Sequence, residues 1–289
     1  MNALRILVRL TRAPIALVAT LSAATGYLVV SPRLSSTLLV VCGALFLLAA
    51  GALALNEWQD RAVDARMIRT QSRPLPTRSI TPGTGLAIAL ALMLSGSALL
   101  LTEGLWAATA GLAAVALYNG LYTPLKRVTA FAAVPGALVG MLPPAIGWTA
   151  AGAAWDDPRL LALAFFFFGW QVPHFWLLLL RRGDEYVAAG LPSLTQTIGR
   201  AALARLTFVW IAGAALSAPL LAWFGLTHSP WTALALMAAA GLFLRAGLPL
   251  LRHPLPERPP FGATNLFACA VMALLVADAL YASRGSLLH

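Results

Sequence analysis

The sequence predicts an all-α protein that crosses a membrane nine times. Three observations predict this. First, 60% of the 289 residues are hydrophobic and only 10% are charged, against about 25% charged in an average soluble domain. Second, the apolar residues form continuous runs, whereas the strands of a membrane β-barrel alternate apolar and polar residues. Third, Lys and Arg are distributed very unevenly between alternate connections, as in polytopic membrane proteins. A soluble globular domain and a disordered chain, which is polar and charge-rich, are both excluded.

Charge-free stretches long enough to cross a bilayer, roughly 20 residues each, lie near 14–30, 37–56, 82–101, 104–122, 131–151, 160–180, 206–224, 231–250 and 262–281. The first follows Arg5, Arg9 and Arg12 and superficially resembles a signal peptide. Its apolar stretch continues to Val30 and more spans follow, so it reads as an uncleaved first helix. Leu206 to Leu244 gives 39 uncharged residues, too many for one crossing. The segment Gly225-Leu-Thr-His-Ser-Pro230 breaks it, because Gly and Pro punctuate helices. Residues 1–289 therefore read as a single membrane domain.

The net charge is +10. In a soluble protein this would suggest nucleic acid; here it reads as loop bias, with no nucleic-acid partner and the lipid bilayer as surroundings. The N-terminus and the connections after spans two, four, six and eight, with the adjoining span ends, hold 17 of the 20 basic residues. The other side holds Arg33, Arg159 and Arg284. That split predicts a cytoplasmic N-terminus and a C-terminus across the membrane. Cys42 and Cys269 lie in apolar runs without CxxC spacing and read as ordinary packing residues.

Two connections on the basic side, 57–81 and 181–204, are long and hold five of the ten acidic residues. Where the first begins, Asn56, Asp60 and Asp64 stand at i, i+4 and i+8, on one face of a helix. Three oxygen-bearing side chains there suit a hard cation. Mg2+ takes one or two carboxylates together with waters and substrate phosphate oxygens. Arg69 and Arg73 follow and can pair with phosphate. The combination points to a metal–diphosphate site at the membrane surface; the plainer reading is a solvated helix with salt bridges.

The segment Asn56-x3-Asp60-x3-Asp64, followed by Met67, Arg69-Thr70 and Arg73-Pro74-Leu75, resembles the first aspartate-rich motif of the UbiA superfamily of intramembrane prenyltransferases. Tyr122-Thr-Pro-Leu-Lys126-Arg127 and Gly140-Met-Leu-Pro143-Pro144-Ala-Ile-Gly147-Trp148 resemble two further segments of that superfamily. Trp170-Gln171-Val-Pro173-His174-Phe175 resembles the WQxPHF of its heme O synthase branch. The motifs fall in order over residues 56–194, so the resemblance covers essentially the whole chain, and it implies a nine-helix fold with its site at the cytoplasmic side.

The resemblance also implies roles. Asn56, Asp60 and Asp64 would bind Mg2+ holding farnesyl diphosphate, with a second ion near Asp184 or Glu185. Arg69, Arg73 and Lys126 would offset charge on the departing diphosphate. Tyr118, Tyr122, Trp170, Gln171, His174, Asp184, Glu185 and Tyr186 would line the substrate sites. Heme B would accept the farnesyl group, and contact with heme-biosynthesis or oxidase-assembly proteins would follow.

The chain departs from the pattern in places. Glu185 stands at the second motif's Asp position and Ser193 at a Met position. Ala188 follows Asp184 by four where many members have a second Asp, and Ala132 replaces an Asn. These changes leave open another UbiA enzyme with a quinone precursor or other aromatic acceptor.

His174 is the only ionisable residue in the middle of the sixth span, and ionisable groups at membrane depth mark functional sites by default. Its readings are a heme contact, with the neutral imidazole as an iron ligand, or a histidine hydrogen-bonded between helices. His228, His253 and His289 fall in connections or at the terminus and read as surface residues. A transporter would place its chemistry near the midplane, and a non-catalytic heme-binding descendant would not need the Asn56, Asp60, Asp64, Arg69 and Arg73 set.

Overall fold

The computed structural model describes residues 3–285, and His289 lies outside them. Among the described residues the secondary structure is entirely helical, and nine helices are long and apolar enough to cross a membrane. A short helix, Ala3–Leu10, comes first. The spans are α1 (Ala13–Val30), α2 (Ser36–Asp64), α3 (Pro82–Thr102), α4 (Leu105–Leu125), α5 (Ala133–Ala150), α6 (Pro158–Ala188), α7 (Arg200–Trp223), α8 (Pro230–Leu251) and α9 (Phe261–Arg284).

Local sequence explains where many of them begin. Thr81, Asp157 and Ser229 each accept a hydrogen bond from a backbone N–H of the following first turn, and each precedes a proline. Proline fits there because the first helical N–H groups have no intrahelical partner. Ser35 caps α2 in the same way without a proline. At the far end of the bundle Asp278 of α9 accepts from the backbone N–H groups of His228 (2.6 Å) and Ser229 (3.1 Å) and from Thr232 Oγ1 (2.6 Å). It thereby ties the α7–α8 turn down.

Consecutive helices pack side by side, and α9 returns to pack on α1 and α6. The larger core gathers Trp148, Phe166, Trp176, Ile211 and Phe267 around α6 and α7. A smaller one joins Leu45, Leu48, Leu100 and Ile146. Helices α1 and α5 approach closely enough that a Cβ on Gly147 would lie 1.8 Å from the Ala23 carbonyl oxygen. Leu39, Leu94, Leu216, Leu242 and Leu266 point outward, as a lipid-facing surface requires. His228 and His253 are exposed, and both cysteines are free.

The sequence places spans two and six too short. Both helices continue eight residues past the expected span ends, to Asp64 and Ala188. Charge marks the end of an apolar run, but helix propensity does not stop there, and the polar continuation of α2 is buried by other parts of the protein. Helix α7 likewise starts at Arg200 rather than at 206. The segment Ala116–Tyr122 of α4 is a π-helical stretch. Such wide turns are frequent at functional sites.

Candidate active site

The extension of α2 carries the polar cluster. Asn56, Asp60 and Asp64 are 2%, 3% and 4% exposed, and buried carboxylates need partners. Asp60 pairs with Lys126 at the end of α4 and with Arg127 Nη2 at 3.0 Å. Asp64 pairs with Arg73 Nη1 at 2.6 Å. The Asn56 amide donates to Asp60 Oδ2 (3.0 Å) and Thr123 Oγ1 (2.8 Å). Its oxygen accepts from Arg12 Nη2 at 3.1 Å.

The loop after α2 folds back because two of its side chains are apolar anchors. Met67 and Leu75 are buried, and backbone turns link Val63 to Arg66, Met67 to Thr70 and Thr70 to Arg73. Thr70 donates to the Asp64 carbonyl at 3.0 Å. Glu57, fully buried, accepts from the Leu75 N–H at 3.2 Å. These contacts hold Arg73 over Asp64. Burial pushes the Arg73 guanidinium below its ordinary pKa, with Arg12 adding to the shift and Asp64 opposing it. Burial likewise lowers the Lys126 ammonium, against the pull of Asp60.

Helix α4 is locked to α2 by a two-way amide exchange. Asn119 donates to the Ala52 carbonyl (3.0 Å) and to Gln59 Oε1 (3.1 Å), while Gln59 donates to the Asn119 carbonyl at 3.0 Å. Above it runs an aromatic series. Tyr118 stacks on Tyr122 at 5.8 Å, and Tyr122 on Phe175 at 5.6 Å. Lys126 Nζ lies 5.6 Å from the Tyr122 ring centre. Gly136 sits against the Tyr122 ring so closely that a Cβ would fall 2.4 Å from it.

The series ends at His174. Its ring lies 5.9 Å from Phe175, 5.1 Å from Trp170 and 4.8 Å from Phe261. His174 Nδ1 is buried without a hydrogen-bond partner, while the ring also meets the Asn265 side chain of α9. Trp170 donates to the Thr264 carbonyl at 2.7 Å. Gln171 packs against Gly140, where a Cβ would lie 1.9 Å from its amide oxygen.

The second acidic motif divides. Glu185 accepts from the Arg69 N–H at 3.2 Å and pairs with Arg182 at 2.6 Å, so it joins the two loops. Asp184, its neighbour on α6, has a side chain 92% exposed and meets Arg200 at 3.5 Å. Tyr186 is half-buried, and the Arg69 side chain is exposed. The structure thus brings together Asn56, Asp60, Asp64, Arg73 and Lys126. It connects Tyr118, Tyr122 and His174 to them through rings and leaves Asp184 turned outward.

Among the described residues no group of three or more His, Cys, Asp or Glu is arranged as a metal cage. The donor set still suits Mg2+, whose protein ligands are commonly one or two carboxylates with phosphate oxygens completing the shell. Asp60 and Asp64, with the Asn56 amide oxygen, are such a set. Sequence reasoning missed Arg127, Arg12, Thr123 and Glu57. Arg127 and Glu57 lie next to singled-out residues and were there to be found. Arg12, in a left-handed backbone conformation at φ 45°, leaves no trace in the pattern.

The family profile described as UbiA prenyltransferase family matches residues 13–267. The chain belongs to the UbiA prenyltransferase family. Curated relatives of this UbiA member include the protoheme IX farnesyltransferase of Geobacter sulfurreducens, 39% identical over 89% of this chain and 93% of that one. The protein of the same name from Nitratidesulfovibrio vulgaris strain Hildenborough is 36% identical over 88% of each. A UbiA homologue of Archaeoglobus fulgidus bound to GPP and Mg2+ superposes with a TM-score of 0.70 at 16% identity, covering 96% of this chain and 98% of that one. The apo UbiA homologue of Aeropyrum pernix K1 gives 0.76 at 16% identity, covering 92% and 98%. The two structures share the UbiA fold with this chain.

Proposed function

We propose that this chain transfers the farnesyl group of farnesyl diphosphate to a vinyl group of heme B, giving heme O for heme-copper oxidase biogenesis. The observation that carries the reading is the continuity between the buried Asp60–Asp64 face and His174 through stacked rings. A diphosphate subsite and an aromatic, apolar acceptor subsite lie next to one another. The protoheme IX farnesyltransferases among the relatives support it. The whole chain acts as one domain in the bacterial inner membrane, its N-terminus in the cytoplasm on the side rich in Lys and Arg.

Asn56, Asp60 and Asp64 would hold Mg2+, which when bound neutralises diphosphate oxygens and polarises the leaving group. Arg73 and Lys126, which hold Asp64 and Asp60, would offset the charge of the diphosphate. Arg127, on Asp60, does the same from the other oxygen. Preorganised cations of this kind stabilise the charge that develops as the allylic C–O bond breaks. The electron pair leaves with the diphosphate. Vinyl π electrons of heme B form the new C–C bond, and water adds to the resulting cation with loss of a proton. The buried helices keep bulk water from the allylic cation. No protein nucleophile is required. Glu185 positions the Arg69 loop over the site.

The test is purified protein with heme B, farnesyl diphosphate and Mg2+, with product followed by chromatography and mass. The expected result is heme O, lost on adding EDTA and restored by excess Mg2+. Well-folded protein that makes none and prenylates an aromatic acid instead would overturn the reading.

His174 is the proposed heme contact. His174→Ala should weaken heme B binding about tenfold and shift the Soret band, as loss of an axial imidazole would. An unchanged spectrum and affinity would remove His174 from the heme site.

A further inference from the structure

A cavity of about 550 Å³ opens beside the His174 aromatic group, lined by Arg181, Arg258, Pro259, Phe261 and Gly262. It is open to solvent, and both of its arginines are exposed. Phe261 belongs to both places, since its ring also contacts His174. Arg181 lies seven residues beyond His174 on α6, about 10 Å along the helix axis. Its neighbour Arg182 pairs with Glu185, which joins the Arg69 loop. The cavity therefore opens at the end of the bundle that carries the acidic cluster.

Its two arginines have no protein counter-ion among the described residues. The ion pairs of Asp60, Asp64, Asp157, Asp184 and Glu185 are made by other cations, and neither Arg181 nor Arg258 takes part in them. Two unpaired guanidiniums facing one cavity form a site for anions, and arginine suits planar carboxylates through paired N–H donors. The cavity wall below them is apolar and aromatic.

We propose that Arg181 and Arg258 clamp the two propionate carboxylates of the heme substrate. The proposal rests on the heme reading of the preceding section and adds the binding pose. The carboxylates sit at the water-facing mouth and the macrocycle passes Phe261. The face of the ring lies against His174, and its far edge reaches toward the Tyr122–Phe175 pair. A substrate that carries two acids on one edge and reactive vinyls elsewhere is thereby held in one orientation.

The test is visible-spectrum titration of the full chain in neutral detergent with heme B and with its dimethyl ester, without farnesyl diphosphate. Wild type should bind heme B about tenfold more tightly than the diester. Arg181→Gln/Arg258→Gln should lose that preference while binding the diester as wild type does. Arg181→Lys/Arg258→Lys should recover part of it, which separates charge from misfolding. Equal binding of acid and ester by wild type would overturn the clamp, as would an equal loss for both ligands in the Gln variant. If the cavity instead holds an anionic lipid headgroup, the Gln variant loses co-purifying phosphatidylglycerol while heme discrimination is unchanged. That result also overturns the proposal. Discrimination without heme O formation would fail the reaction and leave the clamp standing, so the two readings fail separately.

Discussion

Asp60→Asn should lower farnesyl transfer roughly 10³-fold or more, the scale of losing a metal ligand and a charge-stabilising contact together. Asp60 is the junction of the site. It meets Asn56, Lys126 and Arg127, and Asn can no longer neutralise the two cations or offer a charged oxygen to Mg2+. The substitution is nearly isosteric, so the helices should keep their packing. Kinetics over a Mg2+ series separate the roles. A lost metal ligand raises the Mg2+ requirement, whereas a purely structural fault lowers thermal stability and leaves that requirement alone. Wild-type turnover in Asp60→Asn would refute the metal role outright.

Gly147→Val should leave little or no folded protein. A Cβ on Gly147 would stand 1.8 Å from the Ala23 carbonyl oxygen, and one on Gly26 would stand 2.1 Å from the Pro144 carbonyl oxygen. The same crossing of α1 and α5 is thus pinched from both sides by backbone, which cannot swing away as a side chain can. Overpacking of an ordinary core costs about 1–3 kcal/mol; here two helices must separate, and the loss should exceed about 3 kcal/mol. Gly43→Ala is the control, because a Cβ there meets nothing within 4 Å and Ala favours a helix. Fluorescence-detected size-exclusion and thermal unfolding in detergent read both. A monodisperse Gly147→Val protein of unchanged midpoint would show that the crossing is looser than drawn.

The membrane-spanning fold was legible because bilayer thickness imposes a length on every apolar run. Nine such runs could be counted, and the helices lie where they do. The polar parts were legible only in register. The i, i+4 spacing places Asn56, Asp60 and Asp64 on one face whatever surrounds them. Spacing is silent on which partner each meets, so the claims of Arg127 on Asp60 and Arg12 on Asn56 stayed hidden. Asp184 and Glu185 show the limit at its narrowest. They are adjacent, and one helical step turns a side chain by about 100°. One therefore reaches the Arg69 loop while the other faces solvent. The π-helical stretch of α4 was illegible for a related reason. An extra residue in a turn follows from packing rather than from spacing, and Ala-Leu-Tyr-Asn-Gly-Leu-Tyr carries no mark of it; the stretch holds the Asn119–Gln59 exchange and the Tyr122–Gly136 contact.

The ion pairs at the acidic face bear on how the protein is made. Asp60 and Asp64 are buried with counter-ions drawn from the same chain, and an uncompensated carboxylate at that depth would be costly. Zinc fingers, by contrast, remain unfolded until a metal supplies the missing charge. Here Lys126, Arg127 and Arg73 supply it from within. Insertion and assembly of the helices can be completed before any metal or diphosphate arrives. Chelators should accordingly silence this protein without unfolding it.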